Sequence, residues 1–184
     1  MDDPDPRAIV PKVHSDLSSL RRAIAVSRLG PGETFLDLGC GNGTSVIEAC
    51  KVHPSIRGIG VEVRPGALRD AHRLAAAAGV ASQVTFLDID FRRLKPDSPE
   101  LAGVSVVYTY LLENILNDVL PSLLDGLVHR GARWVSFYHH PNWADAHIAQ
   151  LDLFGMLRVH ALGGEEPWMR PAVRRGQDFF ESLD

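Results

Sequence analysis

The chain has 184 residues, of which 45% are hydrophobic and 23% are charged, and its formal net charge at pH 7 is −4. These values are ordinary for a globular protein with one well-buried core, and the negative charge gives no electrostatic reason to expect nucleic-acid binding. Two cysteines are too few for a disulfide framework and no apolar run is long enough to span a membrane, so we expect a soluble, cytoplasmic protein.

The chain begins with an acidic, proline-containing stretch, MDDPDPRAIV, which is unlike a signal or transit peptide. We expect residues 1–12 to form a flexible tail and residues 13–184 to form one domain. Over residues 13–29 apolar side chains recur at steps of four and three, which predicts an amphipathic helix. Glycine and proline at positions 30–32 then end the helix and turn the chain.

A short apolar strand, a glycine-rich turn and the start of a helix follow one another in TFLDLGCGNG, residues 34–43, and the residues after it. The strand contains one acidic residue, Asp37, and the turn has glycines at positions 39, 41 and 43. Glycines permit backbone angles that a side chain forbids, and they let a ligand lie against bare main chain. Such a strand, turn and helix are typical of nucleotide-like ligand sites in open α/β sheets.

The spacing of these glycines distinguishes two classes of ligand. Dinucleotide-binding proteins require G-x-G-x-x-G/A, but here the third position after Gly41 is Thr44. The motif DLGCGNG instead resembles the first motif of class I S-adenosylmethionine-dependent methyltransferases, which bind the methionine end of the cofactor along this loop. The resemblance implies S-adenosylmethionine as cofactor and a three-layer, Rossmann-like α/β sandwich with a mostly parallel sheet of six or seven strands. The cofactor-binding residues that it implies in this loop are Asp37, Gly39, Cys40, Gly41 and Gly43.

A second strand is predicted over residues 56–63, with Glu62 near its end. Glu62 follows Gly43 by roughly 20 residues, which is where an open α/β nucleotide site places the carboxylate that accepts both ribose hydroxyls. A carboxylate suits this role because it only accepts hydrogen bonds and can take two donors at once. The alternative is that Glu62 is a solvated residue at a strand end.

A helix is predicted over residues 65–78, and a third strand over residues 84–91, VTFLDIDF. This strand resembles the next motif of the methyltransferases, in which an acidic residue hydrogen-bonds the adenine amino group. The resemblance implies that Asp90 is this acid and that Ile89 lines the adenine pocket. Asp88 is the alternative to Asp90, and we expect one of the two acids to cap a turn.

The apolar, β-branched run VSVVYTY at residues 104–110 is typical of a buried parallel strand. The leucine spacing over residues 111–131 predicts a helix that Pro121 breaks into a short turn and a longer helix. A fifth strand is predicted over residues 133–139. Strands that alternate with helices in this way predict a parallel sheet with right-handed crossovers.

Beyond residue 144 the pattern is weaker. We predict a helix over residues 146–153 and a sixth strand over residues 154–162. A seventh strand is predicted between residues 168 and 174, and the resemblance implies that it is antiparallel.

The ends of the fourth and fifth strands should face the reacting methyl group, because ligands in open α/β sheets bind at the carboxyl ends of the strands. Aromatic side chains suit this place, since they exclude water and favour sulfonium and amine cations. Tyr108 and Tyr110 are therefore candidate catalytic residues, and we expect only one of them to face the cofactor. Tyr108 is also a candidate cofactor contact.

The chain from the fourth strand to Trp143 carries a second resemblance, to small protein-lysine methyltransferases of the archaeal and mitochondrial ATP synthase c-subunit type. These enzymes also show an apolar strand, a Leu-Leu or similar pair, a helix with an x-Pro-x-Leu element, and a strand followed closely by Trp. The resemblance implies that the acceptor is a protein lysine. It also implies that Tyr108, Thr109 and Tyr110 lie at the methyl group of the cofactor and that Trp143 lies at the pocket edge.

His139 and His140 are close in sequence to Asp145 and His147, a combination that could ligate a metal. Successive strand residues point to opposite faces, so the pair cannot easily share one ion, and we expect no metal. His140 is a third candidate catalytic residue, as a base near neutral pH, or else a polar residue that lines the cleft.

Protein-lysine N-methylation is thus the favoured function. The alternatives are O- or N-methylation of a small molecule with His140 as the base, and a non-catalytic nucleotide-binding module.

Overall fold

The computed structural model of the protein describes residues 16–143, 148–153 and 157–162. The strands are β1 (Thr34–Leu38), β2 (Arg57–Glu62), β3 (Val84–Asp88), β4 (Val104–Thr109), β5 (Arg133–Phe137), β6 (Ile148–Leu153) and β7 (Leu157–Leu162). The helices are α1 (Leu17–Val26), α2 (Thr44–Val52), α3 (Pro65–Ala77) and α4 (Pro121–His129). Short 3₁₀ turns lie at Phe91–Arg93 and Pro99–Leu101, and a π-helix lies at Ile115–Val119.

The seven strands form one sheet in the order β3-β2-β1-β4-β5-β7-β6. Strands β1 to β5 are parallel, and β7 runs antiparallel to both of its neighbours. The strand order reverses between β1 and β4, where Asp37 pairs in register with Tyr108. A ligand crevice in an open α/β sheet lies at such a switch point, beyond the carboxyl ends of the strands.

Two hydrophobic clusters cover the two faces of this sheet. One contains buried residues of α1, α2 and α3, and the other contains residues of the π-helix, α4 and both 3₁₀ turns. The predicted three-layer α/β sandwich with a mostly parallel sheet is therefore confirmed. None of the helices in residues 16–143 has the length and apolar character that a membrane crossing requires.

Helix α2 packs very closely on β2, and this closeness requires glycine in the strand. A Cβ atom added at Gly58 would lie 2.5 Å from Cγ1 of Val46 and 2.8 Å from Sγ of Cys50. At Gly60 an added Cβ atom would lie 2.6 Å from Sγ of Cys40. The two glycines thus allow α2 and the glycine-rich turn to rest directly on the neighbouring strand.

The order of the elements agrees with the prediction up to β5, including the break at Pro121. The helix predicted over residues 146–153 is wrong, because Ile148–Leu153 is a strand that pairs with β7 from Ile148–Leu162 to Leu153–Leu157. In this hairpin the backbone hydrogen bonds of residues 148–153 are made with β7, and the sequence of the segment alone does not reveal that partner. The predicted tail, the seventh strand between residues 168 and 174, and residues 154–156 of the sixth strand lie outside the described residues.

Candidate active site

The glycine-rich turn after β1 folds over the end of β2. The backbone N–H groups of Gly39 and Cys40 both donate to the carbonyl oxygen of Val61, at 2.8 and 3.0 Å. Gly39, Gly41 and Gly43 have φ angles of +88°, +55° and +75°, a region that favours glycine. The turn therefore has a fixed path that requires glycine at alternate positions, as the sequence predicts.

Asp37 is buried beneath this turn, with 5% of its surface exposed. Its carboxylate accepts a hydrogen bond from the hydroxyl of Ser45, in the first turn of α2. Burial raises the pKa of Asp37 to about 7; the Ser45 hydrogen bond opposes this shift and the nearby negative charge of Glu62 adds to it. Asp37 is thus a carboxyl group close to its titration point at neutral pH, and a cationic ligand group would shift it to the charged form.

Glu62 ends β2 and is 5% exposed, so the alternative of a solvated glutamate is wrong. Its carboxylate accepts backbone hydrogen bonds from Gly41, Val63 and Arg64, at 3.0, 2.8 and 3.0 Å. The guanidinium of Arg64 also donates to both carboxylate oxygens, at 3.1 and 2.9 Å. Burial alone would raise the pKa of Glu62, but the hydrogen bonds and charge of Arg64 and the Val63 N–H outweigh it and lower the pKa. Glu62 is therefore an ionised acceptor tied directly to the glycine turn.

The two acids after β3 have different environments. Asp90 caps the 3₁₀ turn that follows, since its side chain accepts from the backbone N–H and from Nε of Arg92, each at 2.9 Å. Asp88 is exposed at the end of β3 and lies in register with Glu62. Ile89, between them, packs against the cluster that contains α4. Asp90 is thus the acid that caps a turn. Asp88 lies beside the end of β2, and Asp90 follows it by two residues. An adenine attached to a ribose at Glu62 would lie near this part of the chain.

Tyr108 and Tyr110 point to the same face of the sheet, because residues two apart in a strand share a face. Both pack with the cluster that contains α1. The two tyrosines differ in burial. Tyr108 is 2% exposed and stacks on Phe35, whereas Tyr110 is half-buried just beyond the end of the strand. Thr109 points to the opposite face and accepts a hydrogen bond from Nε1 of Trp134 at 2.9 Å. Tyr110 is therefore the more accessible tyrosine of this pair, and Tyr108 lies in the core.

An aromatic cluster forms where β4 and β5 end side by side. The ring of Tyr110 lies edge-on to Phe137, with ring centroids 4.9 Å apart, and 6.1 Å from the ring of Tyr138. Sequence reasoning did not single out Phe137 or Tyr138, although their aromatic character and place at the end of a predicted strand were available signals. We call Tyr110, Phe137 and Tyr138 the aromatic mouth.

His140 is held by a hydrogen-bond chain that sequence reasoning missed. Its Nδ1 lies 2.8 Å from the hydroxyl of Ser136, which is also 3.0 Å from Nε2 of His160 on β7. His160 is fully buried and stacks on Trp134 with ring centroids 4.2 Å apart. Burial, together with the charges of Arg158 and His140, lowers the pKa of His160 to about 3, so the ring is neutral. This chain of hydrogen bonds depends on the pairing of β5 with β7, which no local sequence pattern encodes.

The position of the proton on His160 follows from its hydrogen bonds. Nδ1 of His160 is buried and has no hydrogen-bond partner among the described residues, and an unpaired lone pair costs less there than an unpaired N–H. His160 therefore carries its proton on Nε2 and donates to Ser136. The Ser136 hydroxyl has two acceptors within reach, Nδ1 of His140 at 2.8 Å and the carbonyl oxygen of Arg158 at 3.4 Å. If it donates to His140, the neutral His140 ring carries its proton on Nε2. If it donates to Arg158, it accepts from Nδ1 of His140, and Nε2 of His140 is then the basic nitrogen.

Trp143 supplies a hydrogen-bond donor that the π-helix between β4 and α4 lacks. The carbonyl oxygen of Leu116 would bond to the N–H five residues on, but that residue is Pro121, which has none. Nε1 of Trp143 donates to this oxygen instead, at 2.8 Å, and the Trp143 ring stacks on Trp134 with ring centroids 5.7 Å apart. The backbone N–H of Asn142 also donates to Oδ1 of the π-helix residue Asn117, at 2.9 Å. The segments that follow β4 and β5 are thus joined to each other.

Among the residues that the structure describes, no group of three or more His, Cys, Asp and Glu side chains is placed to hold a metal ion. Two of the residues considered for such a site, Asp145 and His147, lie outside this part of the chain. Cys40 and Cys50 are buried free thiols, and burial, followed by the charges of Asp37 and Glu62, raises the pKa of Cys40 well above its usual value. Cys40 is therefore a neutral thiol packed under the turn.

Comparison with known proteins supports the interpretation of this geometry. Residues 35–130 match the family model described as a methyltransferase domain. The chain belongs to this family. The matched segment runs from the strand before the glycine turn to the end of α4, and so contains Asp37, Glu62 and Asp90 but not the segment that follows β5.

Solved methyltransferases with S-adenosylhomocysteine bound share the fold. An RNA methyltransferase from Salinibacter ruber has a TM-score of 0.65 and 25% identity, over 84% of this chain and 95% of that one. A methyltransferase from Thiobacillus denitrificans has a TM-score of 0.57 and 26% identity, over 74% of this chain and 56% of that one. The protein is a class I S-adenosylmethionine-dependent methyltransferase.

Two curated relatives act on proteins according to their names. A protein-lysine N-methyltransferase of Saccharolobus islandicus is 27% identical over 127 residues, which is 69% of this chain and 75% of that protein. A ribosomal protein L11 methyltransferase of Haemophilus ducreyi is 30% identical over 93 residues, which is 50% of this chain but 29% of that protein.

The residues present in this methyltransferase fit the cofactor. Around Gly41 the turn is open, since a Cβ atom added there would meet no described atom within 4 Å, so a ligand can approach the main chain. The ionised carboxylate of Glu62, next to the turn, only accepts hydrogen bonds, as two ribose hydroxyls require. Its oxygens already take five hydrogen bonds, so the ribose would have to replace the two from the guanidinium of Arg64. When bound, S-adenosylmethionine supplies a methyl group on a positively charged sulfur, which is already activated for transfer.

Proposed function

We propose that the protein transfers a methyl group from S-adenosylmethionine to the side-chain amine of protein lysine residues. The observation that carries this proposal is the aromatic mouth, which lies at the ends of β4 and β5 on the acceptor side of the strand-order switch. Aromatic faces attract cations and exclude water, so they suit an alkylamine substrate and its methylated, charged product. The likeness to a protein-lysine methyltransferase over most of the length of both chains supports the same acceptor.

We propose that the cofactor is held by the residues that the sequence motifs indicate. The main chain of Gly39, Cys40, Gly41 and Gly43 would line its methionine end, with Asp37 facing the ammonium group. Glu62 would accept the ribose hydroxyls, and Ile89 with Asp90 or Asp88 would flank the adenine. Tyr110 would lie at the methyl group, and Tyr108, which is buried and stacked on Phe35, would lie behind it in the core.

The reaction itself asks little of the protein beyond alignment. A neutral amine has to lie in line with the methyl group at about 3 Å, and holding it there removes most of the entropic barrier. The joined segments after β4 and β5 would provide a rigid surface for this purpose, because Trp143 and Asn142 tie them together. The buried free thiols suit the reducing cytoplasm in which we propose that the protein acts.

The second candidate is methylation of a small molecule with His140 as the base. The hydrogen bond between Ser136 and His140 favours it, since a base must be oriented. This role requires the arrangement in which Ser136 donates to the carbonyl oxygen of Arg158, because only then can Nε2 of His140 accept a proton from a substrate.

A labelling experiment separates these candidates. The protein is incubated with tritiated S-adenosylmethionine and a desalted lysate, and the label is measured in protein, in RNA and in small molecules. Label recovered as methyllysine after acid hydrolysis is the expected result. Label in small molecules alone would favour the His140 candidate, label in RNA would contradict both, and no label would favour a non-catalytic module.

Glu62→Gln provides the control in this labelling experiment. In this variant the amide NH₂ of the glutamine would face the N–H donors that the Glu62 carboxylate now accepts from, those of Gly41, Val63 and Arg64. We therefore expect both the binding of S-adenosylhomocysteine and the labelling to decrease. Label that persists in this variant would come from a contaminating enzyme.

A further inference from the structure

Tyr138 has a strained backbone at the carboxyl end of β5. Its φ angle is +65°, and the backbone N–H of His139 donates to the carbonyl oxygen of Phe137 at 2.8 Å, which closes a three-residue γ-turn around it. A γ-turn with positive φ is rare, and a bulky aromatic residue is unfavourable in that region. Strain of this kind persists where the surrounding structure enforces it, often at binding sites.

At this turn Tyr138 is largely exposed, with 57% of the surface of the residue accessible. The same turn keeps the ring beside the aromatic mouth: its centroid lies 5.3 Å from that of Phe137, edge to face, and 6.1 Å from that of Tyr110. A ring that remains largely exposed gains little from burial, so packing does not explain why an aromatic residue occupies a strained position. The position instead suits a ring whose face is available to a ligand.

We propose that Tyr138 is a specificity residue whose ring, with that of Tyr110, binds the alkylamine of the acceptor and favours lysine over uncharged acceptors. This inference rests on the proposed lysine acceptor. The two rings lie at the ends of adjacent strands with centroids 6.1 Å apart, so one alkylammonium beside them can lie within cation–π distance of both, and each contact is favourable. The γ-turn determines the direction in which the Tyr138 ring points, and this direction requires the strained backbone.

The test uses three substitutions at Tyr138 and one matched control. Tyr138→Phe keeps the ring, whereas Tyr138→Gly and Tyr138→Asn remove it and tolerate positive φ. The control is Arg28→Gly, because Arg28 is exposed and has a φ of +51° just after α1. Its carbonyl oxygen accepts from Arg133 at the start of β5, the end of that strand opposite to Tyr138. Methyl transfer from tritiated S-adenosylmethionine to poly-L-lysine gives KM and kcat, and calorimetric titration with S-adenosylhomocysteine gives its Kd.

We expect Tyr138→Gly and Tyr138→Asn to raise KM for poly-L-lysine about tenfold, while Tyr138→Phe stays within about twofold of the native protein. The Kd for S-adenosylhomocysteine should not change in any variant. The melting temperature should stay the same or rise by about 2 °C in Tyr138→Gly and in Arg28→Gly, since both relieve strain. Arg28→Gly should leave KM unchanged.

Two results would overturn the inference while the proposed function stands. One is a native KM in Tyr138→Gly. The other is a fall in its melting temperature of more than about 4 °C, which would show that the ring is part of the core. A loss in Tyr138→Phe equal to that in Tyr138→Gly would assign binding to the hydroxyl instead of the ring face. If the native protein transfers no methyl group to lysine amines, the proposed function fails and the inference fails with it.

Discussion

Binding of the cofactor should strengthen as pH rises from 6 to 8 if Asp37 meets the ammonium group of the methionine end, as we propose, because this contact requires the ionised carboxylate. The pKa of Asp37 is raised to about 7 by burial, so its ionised fraction rises from about 10% at pH 6 to about 90% at pH 8. If only the ionised form binds, the affinity for S-adenosylhomocysteine increases about tenfold over this range. Glu62, whose pKa is lowered, stays ionised throughout.

Isothermal titration calorimetry measures this effect directly. Titrations at pH 6, 7 and 8, each in two buffers of different ionisation enthalpy, give the affinity and the number of protons released. We expect binding to release about half a proton at pH 7, because about half of the Asp37 carboxyls are protonated before the ligand arrives. In Asp37→Asn the affinity should be weak and should lose this pH dependence. A flat affinity in the native protein, or the same slope in Asp37→Asn, would refute the reasoning.

The same pKa predicts how the unliganded protein responds to pH. The pKa of Asp37 in the folded state is raised above its ordinary value of 3.8, so the folded state prefers the protonated form. This preference contributes stability that is fully present below pH 4 and is lost as pH rises through about 7. The shift corresponds to a free energy on the order of 4 kcal/mol. Asp37→Asn, which resembles the protonated form, should therefore be more stable than the native protein in urea at pH 8, and the difference should shrink at pH 5.

Three further predictions concern packing and the acceptor side. Gly58→Ala should lower the free energy of unfolding in urea by about 1–3 kcal/mol, because its Cβ atom would lie 2.5 Å from a side-chain carbon of α2. Gly30→Ala, where a Cβ atom would have ordinary contacts, is the control, and equal losses would contradict the packing argument. Trp143→Phe should cost about 1 kcal/mol, since the carbonyl of Leu116 then loses its donor; an unchanged urea midpoint would show that the bond contributes nothing. His140→Gln should leave turnover on lysine within about threefold, whereas a loss of about 10²-fold or more would establish His140 as the base.

The cofactor-binding residues that the sequence indicates are mostly local in the chain. Asp37 and the glycines after it lie within one strand, turn and helix, so the spacing of a few residues encodes their geometry. Glu62 lies at the end of the next strand, and because parallel strands β1 and β2 are neighbours, its distance along the chain was enough to place it beside the turn. The buried, hydrogen-bonded state of Glu62 follows from the same adjacency.

The acceptor side depends on contacts that are distant in the chain. His140 and His160 meet at Ser136 only because β7 pairs antiparallel with β5, and Trp143 bonds to the π-helix only because the segments after β4 and β5 fold together. The strand Ile148–Leu153 was taken for a helix for the same reason, since its backbone partners belong to β7.

The order of strands and helices up to β5 and the glycine turn were therefore determined by short-range patterns, because backbone freedom at glycine and the alternation of apolar residues act over a few positions. The cofactor class followed from the resemblance of the glycine motif to a known family. The depth of Tyr108, the strained turn at Tyr138 and the hydrogen bonds around His140 were decided only by the assembled sheet. Burial and long-range hydrogen bonds arise when distant strands pack together, and these interactions fix which side chains a substrate can reach.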